Sequence, residues 1–258
     1  MALAHHRTGA GPPLLLVHGI GSQWQMWEPV LDALAAEHEV IAVDLPGFGD
    51  SPPLTGEPTV TALAAAVHEF LAEQGIERPH VAGNSLGGGV ALVLGAAGRA
   101  RSVCCLSPIG FARGREPLYQ RAVLRTSRAG ARALEPVADW GVGGPARRAI
   151  AFGHLSARPW RLRPEGAAGA LRNLARSPGF SATLRAIGSD WRAPVPGCPT
   201  TIAWGDRDRL LIFSRQAPRA RRQLPAARHV TLHGCGHVPT WDDPAQVARV
   251  LLEASRGS

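Results

Sequence analysis

Lysine is absent from this 258-residue chain, so all 28 basic residues are arginine. A phosphate-cradling P-loop needs a lysine after its glycines and is therefore excluded. No uninterrupted apolar run reaches the roughly 18 residues of a membrane-spanning helix. The four cysteines, Cys104, Cys105, Cys198 and Cys235, show no C-x-x-C spacing. Neither a zinc site nor a disulfide framework is implied, and no other cluster of metal ligands stands out. The "GIG" at residues 19–21 has no third glycine at dinucleotide-fingerprint spacing. No basic tract interleaves with aromatics, so nucleic acid is not an expected partner. Internal repeats and low-complexity linkers are also missing. The opening "MALAHHRTGAGPPLLLVHG" lacks a basic region followed by an apolar segment and a small-residue cleavage site. Cytoplasmic residence is the expectation, with no cofactor and no metal.

What is present is an apolar content of 45%, a charged content of 19% and a net charge of +8. The balance fits a globular protein with a substantial core. Arginines crowd the segment from Arg113 to Arg192, dispersed among apolar residues. They are expected to be solvated surface, with an anionic substrate or an acidic carrier protein as the alternative. Cys104 and Cys105 in "VCCLSP" read as small buried hydrophobes on a strand.

Short apolar runs alternate with longer helical patterns. "PLLLVHG", "HEVIAVDLPG", "PHVAGN", "RSVCCLSPIG", "CPTTIAWG" and "RHVTLHGCG" read as strands. "MWEPVLDALAAE", "TVTALAAAVHEFLAEQG", "SLGGGVALVLGAAG", "FSRQAPRARRQL" and "DPAQVARVLLEAS" read as helices, with Thr59 as an N-cap and Gly75 as a stop. Ala2 to Arg7 are expected to add an antiparallel edge strand. Such alternation implies an α/β fold with a mostly parallel sheet covered on both faces. From about Phe111 to Pro196 the alternation stops, leaving helical patches ("PLYQRAVLRTSRAGARAL", "PEGAAGALRNLARS") and no strand. The expected organisation is a core of residues 1–110 and 197–258 with an all-helical insertion over 111–196.

At the joint of a strand and a helix stands Gly83-Asn84-Ser85-Leu86-Gly87. G-x-S-x-G in that context fits a nucleophile elbow, which projects a serine hydroxyl above the sheet from a strained turn. The flanking glycines are needed because a side chain there would strike the adjoining strand or helix. The following helix aims N–H groups at the site, which favours developing negative charge. A serine hydroxyl needs a base, and the base an orienting acid. Downstream, "TIAWGDRDRL" releases Asp206 and Asp208 after a strand, and "GCGHVPTWDDP" places His237 before the last helix. Both lie at carboxyl ends of strands, where open α/β sheets build their sites.

Four blocks, "LLLVHGIGSQWQMWEPV", "DLPGFGDS", "GNSLGG" and the pair "WGDRDRL"/"GHVPTWDDP", resemble those of serine-dependent α/β-hydrolases with a helical cap. They span nearly all of the chain outside the insertion. The resemblance implies an α/β-hydrolase fold with Ser85 as nucleophile, His237 as base and Asp208 as acid. Asp206 is the alternative acid, its other role being to fix the loop. It further implies an oxyanion hole from the N–H groups of Ile20, after His-Gly, and Leu86, after the nucleophile. His18 is expected to brace its loop. "DLPGFGDS" reads as scaffold, with Phe48 or its neighbours at the entrance. Trp24, Phe48 and Trp140 are the expected pocket residues, although Trp24 reads equally as packing under the cap, and Trp140, Trp160 and Trp191 read more readily as insertion core.

The implied activity is hydrolysis of an ester, lactone or thioester of a small, largely apolar molecule through an acyl-enzyme. A carboxylate-nucleophile dehalogenase or epoxide hydrolase is set aside by the serine at position 85. Acyl transfer, carbon–carbon bond hydrolysis, perhydrolysis and natural-product tailoring use the same residues. A non-catalytic ligand-binding protein is the alternative from another class.

Overall fold

Along β2 (Pro13–Val17), Leu15 and Val17 enter one apolar cluster, and Leu14 and Leu16 enter another. The same alternation runs through β3 (Glu39–Val43), β4 (His80–Asn84), β5 (Ser102–Leu106) and β6 (Thr200–Gly205). Cys105 faces the first cluster and Cys104 the second. A strand buried on both faces is the signature of a parallel sheet sandwiched between helices. This computed structural model describes residues 2–188 and 191–256. Met1, Ser189, Asp190, Gly257 and Ser258, which the expected segments 1–110, 111–196 and 197–258 include, lie outside the described residues.

Among the described residues, seven strands form one sheet in the order β1-β3-β2-β4-β5-β6-β7, with β7 at Arg228–Leu232. All pairings are parallel except that of β1 (His5–Thr8) with β3, where His5 faces Val43. The edge strand starts later than the expected Ala2–Arg7, because Leu3 turns off the edge into the core, 3% exposed. Helices α2 (Val60–Glu73) and α3 (Leu86–Ala96) cover the first face; α1 (Glu28–Ala35) and α10 (Pro244–Arg256) cover the second. Each fully buried Leu, Val or Phe in these layers contributes about 1.5–3 kcal/mol. Thr59 caps α2 by accepting a hydrogen bond from the Ala62 N–H.

Among the described residues, five α-helices lie between β5 and β6: α4 (Glu116–Leu134), α5 (Ala138–Gly143), α6 (Pro145–Phe152), α7 (Pro164–Arg176) and α8 (Phe180–Ala186). Ala131, Val142, Phe152, Ala168 and Leu171 give this segment a small core of its own. Ion pairs Arg172–Asp139 and Arg176–Glu135 tie α7 to its neighbours. After β6 comes α9 (Phe213–Gln223), which continues through Pro218. No helix among the described residues is long and apolar enough to cross a membrane.

A buried and a half-buried imidazole couple this fold to pH. His80 contacts Ser102 Oγ through Nδ1 at 2.9 Å, and burial, followed by His38 and Arg101, pushes its pKa down to about 4. His154, in the helical segment, is likewise lowered to about 4 by burial and by the nearby His237. Each stays neutral in the fold, whereas the unfolded chain takes up the proton below pH 6.5. Their contribution is therefore complete above about pH 6.5 and lost as pH falls toward 4. The thermal midpoint is expected to drop across that window, and less steeply in His80→Gln. A midpoint flat between those values would contradict this coupling.

Candidate active site

The turn from β4 into α3 is made possible by two glycines. A Cβ at Gly83 would lie 2.1 Å from the Gly87 carbonyl oxygen, and one at Gly87 would lie 2.1 Å from the Val17 carbonyl oxygen of β2. Both contacts are with backbone, which cannot swing aside. Gly87→Ala is therefore expected to cost above about 3 kcal/mol, a large share of a domain's stability. Gly56→Ala, at a position with nothing within 4 Å of the added carbon, should change stability by under about 0.5 kcal/mol. Comparable urea midpoints for the two variants would refute the steric argument.

Between these glycines Ser85 adopts φ 56° and ψ −113°, a conformation that L side chains rarely take. Its N–H donates to the Leu106 carbonyl at 3.0 Å, and its own carbonyl accepts from the N–H groups of Gly89 and Ile109. The strained residue is thus over-determined by three backbone bonds. Among the described residues, Ser107 is the other non-glycine with positive φ, at 44°, but it is fully buried.

His237 and Asp208 arrive from two other strand ends. Their side chains, 3% and 0% exposed, meet with His237 Nδ1 2.8 Å from Asp208 Oδ2. The second oxygen, Oδ1, accepts from the N–H groups of Leu210 and Leu211, both at 2.9 Å. A carboxylate held this way accepts a hydrogen bond from the Nδ1–H, which keeps the proton there and leaves Nε2 with its lone pair. Asp206 is placed differently: its Oδ1 accepts from the Gly234 N–H at 2.8 Å, and His233 Nδ1 lies 3.4 Å from its Oδ2. It stitches two loops together and does not meet His237.

Two side chains that sequence reasoning passed over hold the histidine loop. Asn84 donates from Nδ2 to the His237 carbonyl at 2.9 Å and to the Leu106 carbonyl at 3.0 Å. Asp242, 4% exposed, accepts from Gly236 N–H, Ala157 N–H, Arg158 N–H and the Ser156 hydroxyl. That carboxylate bridges the His237 loop to the loop after α6. Their signals were a polar residue inside an apolar run and the acidic pair of "TWDDP", neither of which specifies a partner.

His18 is fully buried and braces its loop: Nε2 accepts from the Leu45 N–H at 2.9 Å, so Nδ1 carries the proton toward the Gly19 carbonyl at 2.7 Å. Burial holds its pKa below the usual value, which keeps the ring neutral. Ile20 follows this loop and lines two apolar cavities beside Ser85; Leu86 heads α3 and lines the second of them. As the first helical residue, Leu86 has an N–H with no intrahelical acceptor.

The first cavity, about 60 Å³, has Ser85 and His237 in its wall together with Met26, Phe152, Leu174 and Trp241. The second, also about 60 Å³, is walled by Ser85, Ile109, Leu124, Leu184 and Arg121 among others. The three pocket residues expected from sequence line neither. Trp24 stacks on His6, ring centroids 4.5 Å apart, and its backbone N–H donates to Asp44 Oδ1. Phe48 is fully buried against the His18 ring. Trp140 is 65% exposed, with the Arg147 guanidinium 4.6 Å from its ring centre. Among the described residues, no group of three His, Cys, Asp or Glu side chains is placed to hold a metal ion.

The model of the alpha/beta hydrolase family matches residues 14–250. An uncharacterized protein of Mycobacterium tuberculosis is 30% identical over 95% of this chain and 75% of its own. The dihydrolipoyllysine-residue acetyltransferase component of the acetoin cleaving system of Cupriavidus necator is 42% identical over 107 residues. That match covers 41% of this chain and only 29% of the relative. Among solved structures, a thermophilic esterase from Thermogutta terrifontis superimposes with a TM-score of 0.78 over 99% of this chain and 93% of its own, at 23% identity. With its seven-stranded sheet and helical flanks, the chain belongs to the alpha/beta hydrolase family.

Proposed function

We propose that the protein is a serine hydrolase that cleaves a carboxylic ester, lactone or thioester of a small, largely apolar molecule. The observation that carries this reading is that His237, paired with the buried Asp208, shares a cavity wall with a strained serine. His237 Nε2 takes the Ser85 proton as Oγ bonds to the substrate carbonyl carbon. The resulting oxyanion is held by the N–H groups of Ile20 and Leu86, each such donor being worth about 10²- to 10³-fold in rate. Cleavage of the carbonyl carbon's bond to oxygen or sulfur releases the leaving group, which takes the proton from His237. Water then gives a proton to His237 and attacks the acyl-enzyme. The carbon–Ser85 bond breaks, Ser85 recovers its proton, and the acid departs. Asp208 supports the imidazolium at each step without taking the proton.

The helical segment of residues 111–196 acts as a cap in this reading, because Leu124, Phe152, Leu174 and Leu184 wall the space over Ser85. Turnover of p-nitrophenyl esters of increasing acyl length is the test. A measurable rate with an acyl-length optimum supports the reading. No turnover of any length by folded protein would overturn it. The match to an acetyltransferase component favours a second use of the same residues, transfer of the acyl group to an acceptor other than water. Product that depends on an added alcohol or thiol, with hydrolysis suppressed, would identify it.

A further inference from the structure

Four arginines recur along α4 at positions 121, 125, 128 and 132, a spacing of four, three and four that aligns them on one helix face. Arg185 of α8 joins them in the wall of an open groove of about 470 Å³. Among the described residues, none of these five guanidinium groups lies within ion-pair distance of a carboxylate. The neighbouring acids are engaged elsewhere: Glu116 with Arg219, Glu135 with Arg176, Asp139 with Arg172.

Arg128 is the telling member. It is 7% exposed, lies 4.8 Å over the Phe180 ring, and donates to Ser181 Oγ and the Ser177 carbonyl, both at 2.8 Å. Its Nε finds no partner, and neutral oxygens alone face its charge. Burial, followed by Arg132, lowers its pKa. A buried cation without a counter-charge is costly to hold, and the cost falls when an anion settles beside it. Arg121 and Leu184 line both this groove and the apolar cavity that reaches Ser85. The cationic groove and the cavity beside Ser85 therefore share a wall at Arg121 and Leu184.

We infer that the substrate is an acyl thioester or ester whose leaving group carries phosphate. The phosphates sit on the arginines of α4 and α8, and the arm joining them to the carbonyl passes Leu184 and Arg121 to Ser85. The acyl chain takes the other cavity, against Phe152 and Trp241. Planar guanidinium forks suit phosphate oxygens, and each charge-assisted bond is about twice as strong as a neutral one. This assignment rests on Ser85 acting as nucleophile, and it commits to a small phosphorylated molecule rather than a protein or a membrane.

Hexanoyl-coenzyme A and p-nitrophenyl hexanoate test it, since they share an acyl group and differ in phosphate. In the Arg125→Gln/Arg185→Gln variant, both positions being exposed, the ratio of kcat/KM for the thioester to that for the neutral ester should fall by about 10- to 100-fold. The fall should appear in KM, and added salt should lower the same ratio in the unaltered protein. Cleavage of the neutral ester with the thioester left intact, or a ratio within twofold, would overturn the groove and leave the hydrolase reading standing. Loss of both activities in the unaltered protein would remove the nucleophile and the groove assignment together. A variant effect confined to hexanoyl groups on an acyl carrier protein, or to anionic vesicles, would overturn the small-molecule occupant.

Discussion

Ser85→Ala should lower kcat/KM on any ester the protein cleaves by about 10⁴-fold or more while the fold persists. The substitution removes only Oγ. The bonds that hold the elbow, from the Ser85 N–H to Leu106 and from Gly89 and Ile109 to the Ser85 carbonyl, are backbone bonds and survive. Alanine tolerates positive φ no better and no worse than serine, so the strain is unchanged. What remains is the binding cavity with its N–H donors, which explains why a residual rate over water is expected. Retained circular dichroism with less than a tenfold loss of rate would show that another group bonds to the carbonyl carbon.

Asp208→Asn and Asp206→Asn separate the two neighbouring carboxylates. The asparagine oxygen at 208 can still accept from Leu210 and Leu211, so the loop is kept. Its amide then presents N–H to His237 Nδ1, which must turn acceptor; the ring proton moves to Nε2, and the base can no longer take a proton from serine. A loss of about 10⁴-fold in kcat follows from the wrong tautomer alone. At 206 an amide oxygen still accepts from the Gly234 N–H, and the charge lost is half-exposed, so activity should stay within about threefold. A silent change at 208 with a crippling one at 206 would reassign the acid.

The sheet was legible because each of β2 to β6 is a short apolar run followed by a turn, and the two burial faces repeat along it. So were the pairing of His237 with Asp208 and the placing of Ser85 and His237 in one cavity wall, since each position is set by local motifs at the ends of parallel strands, which lie on one edge. Helices α5, α6 and α8 were not, because Pro, Gly and Arg break their patterns into pieces of six to eight residues that only packing holds together. The cavity walls were hidden for a related reason: Phe152, Leu174 and Trp241 serve the helical core and face the cavity at once. Trp24, Phe48 and Trp140 carry aromatic bulk, which suits a pocket wall and a packing position alike. Stacking on His6, burial against His18 and a cation above an exposed ring took them elsewhere. Asn84 and Asp242 act across separations of 153 and 85 residues, which no local pattern encodes.

The most direct measurement is the site of covalent capture by a fluorophosphonate, read by mass spectrometry of the digested protein. One adduct is expected, on the peptide that carries Ser85, absent from Ser85→Ala and formed far more slowly in Asp208→Asn. An adduct on Ser107 or any other serine, or none on the folded protein, would contradict the proposed nucleophile.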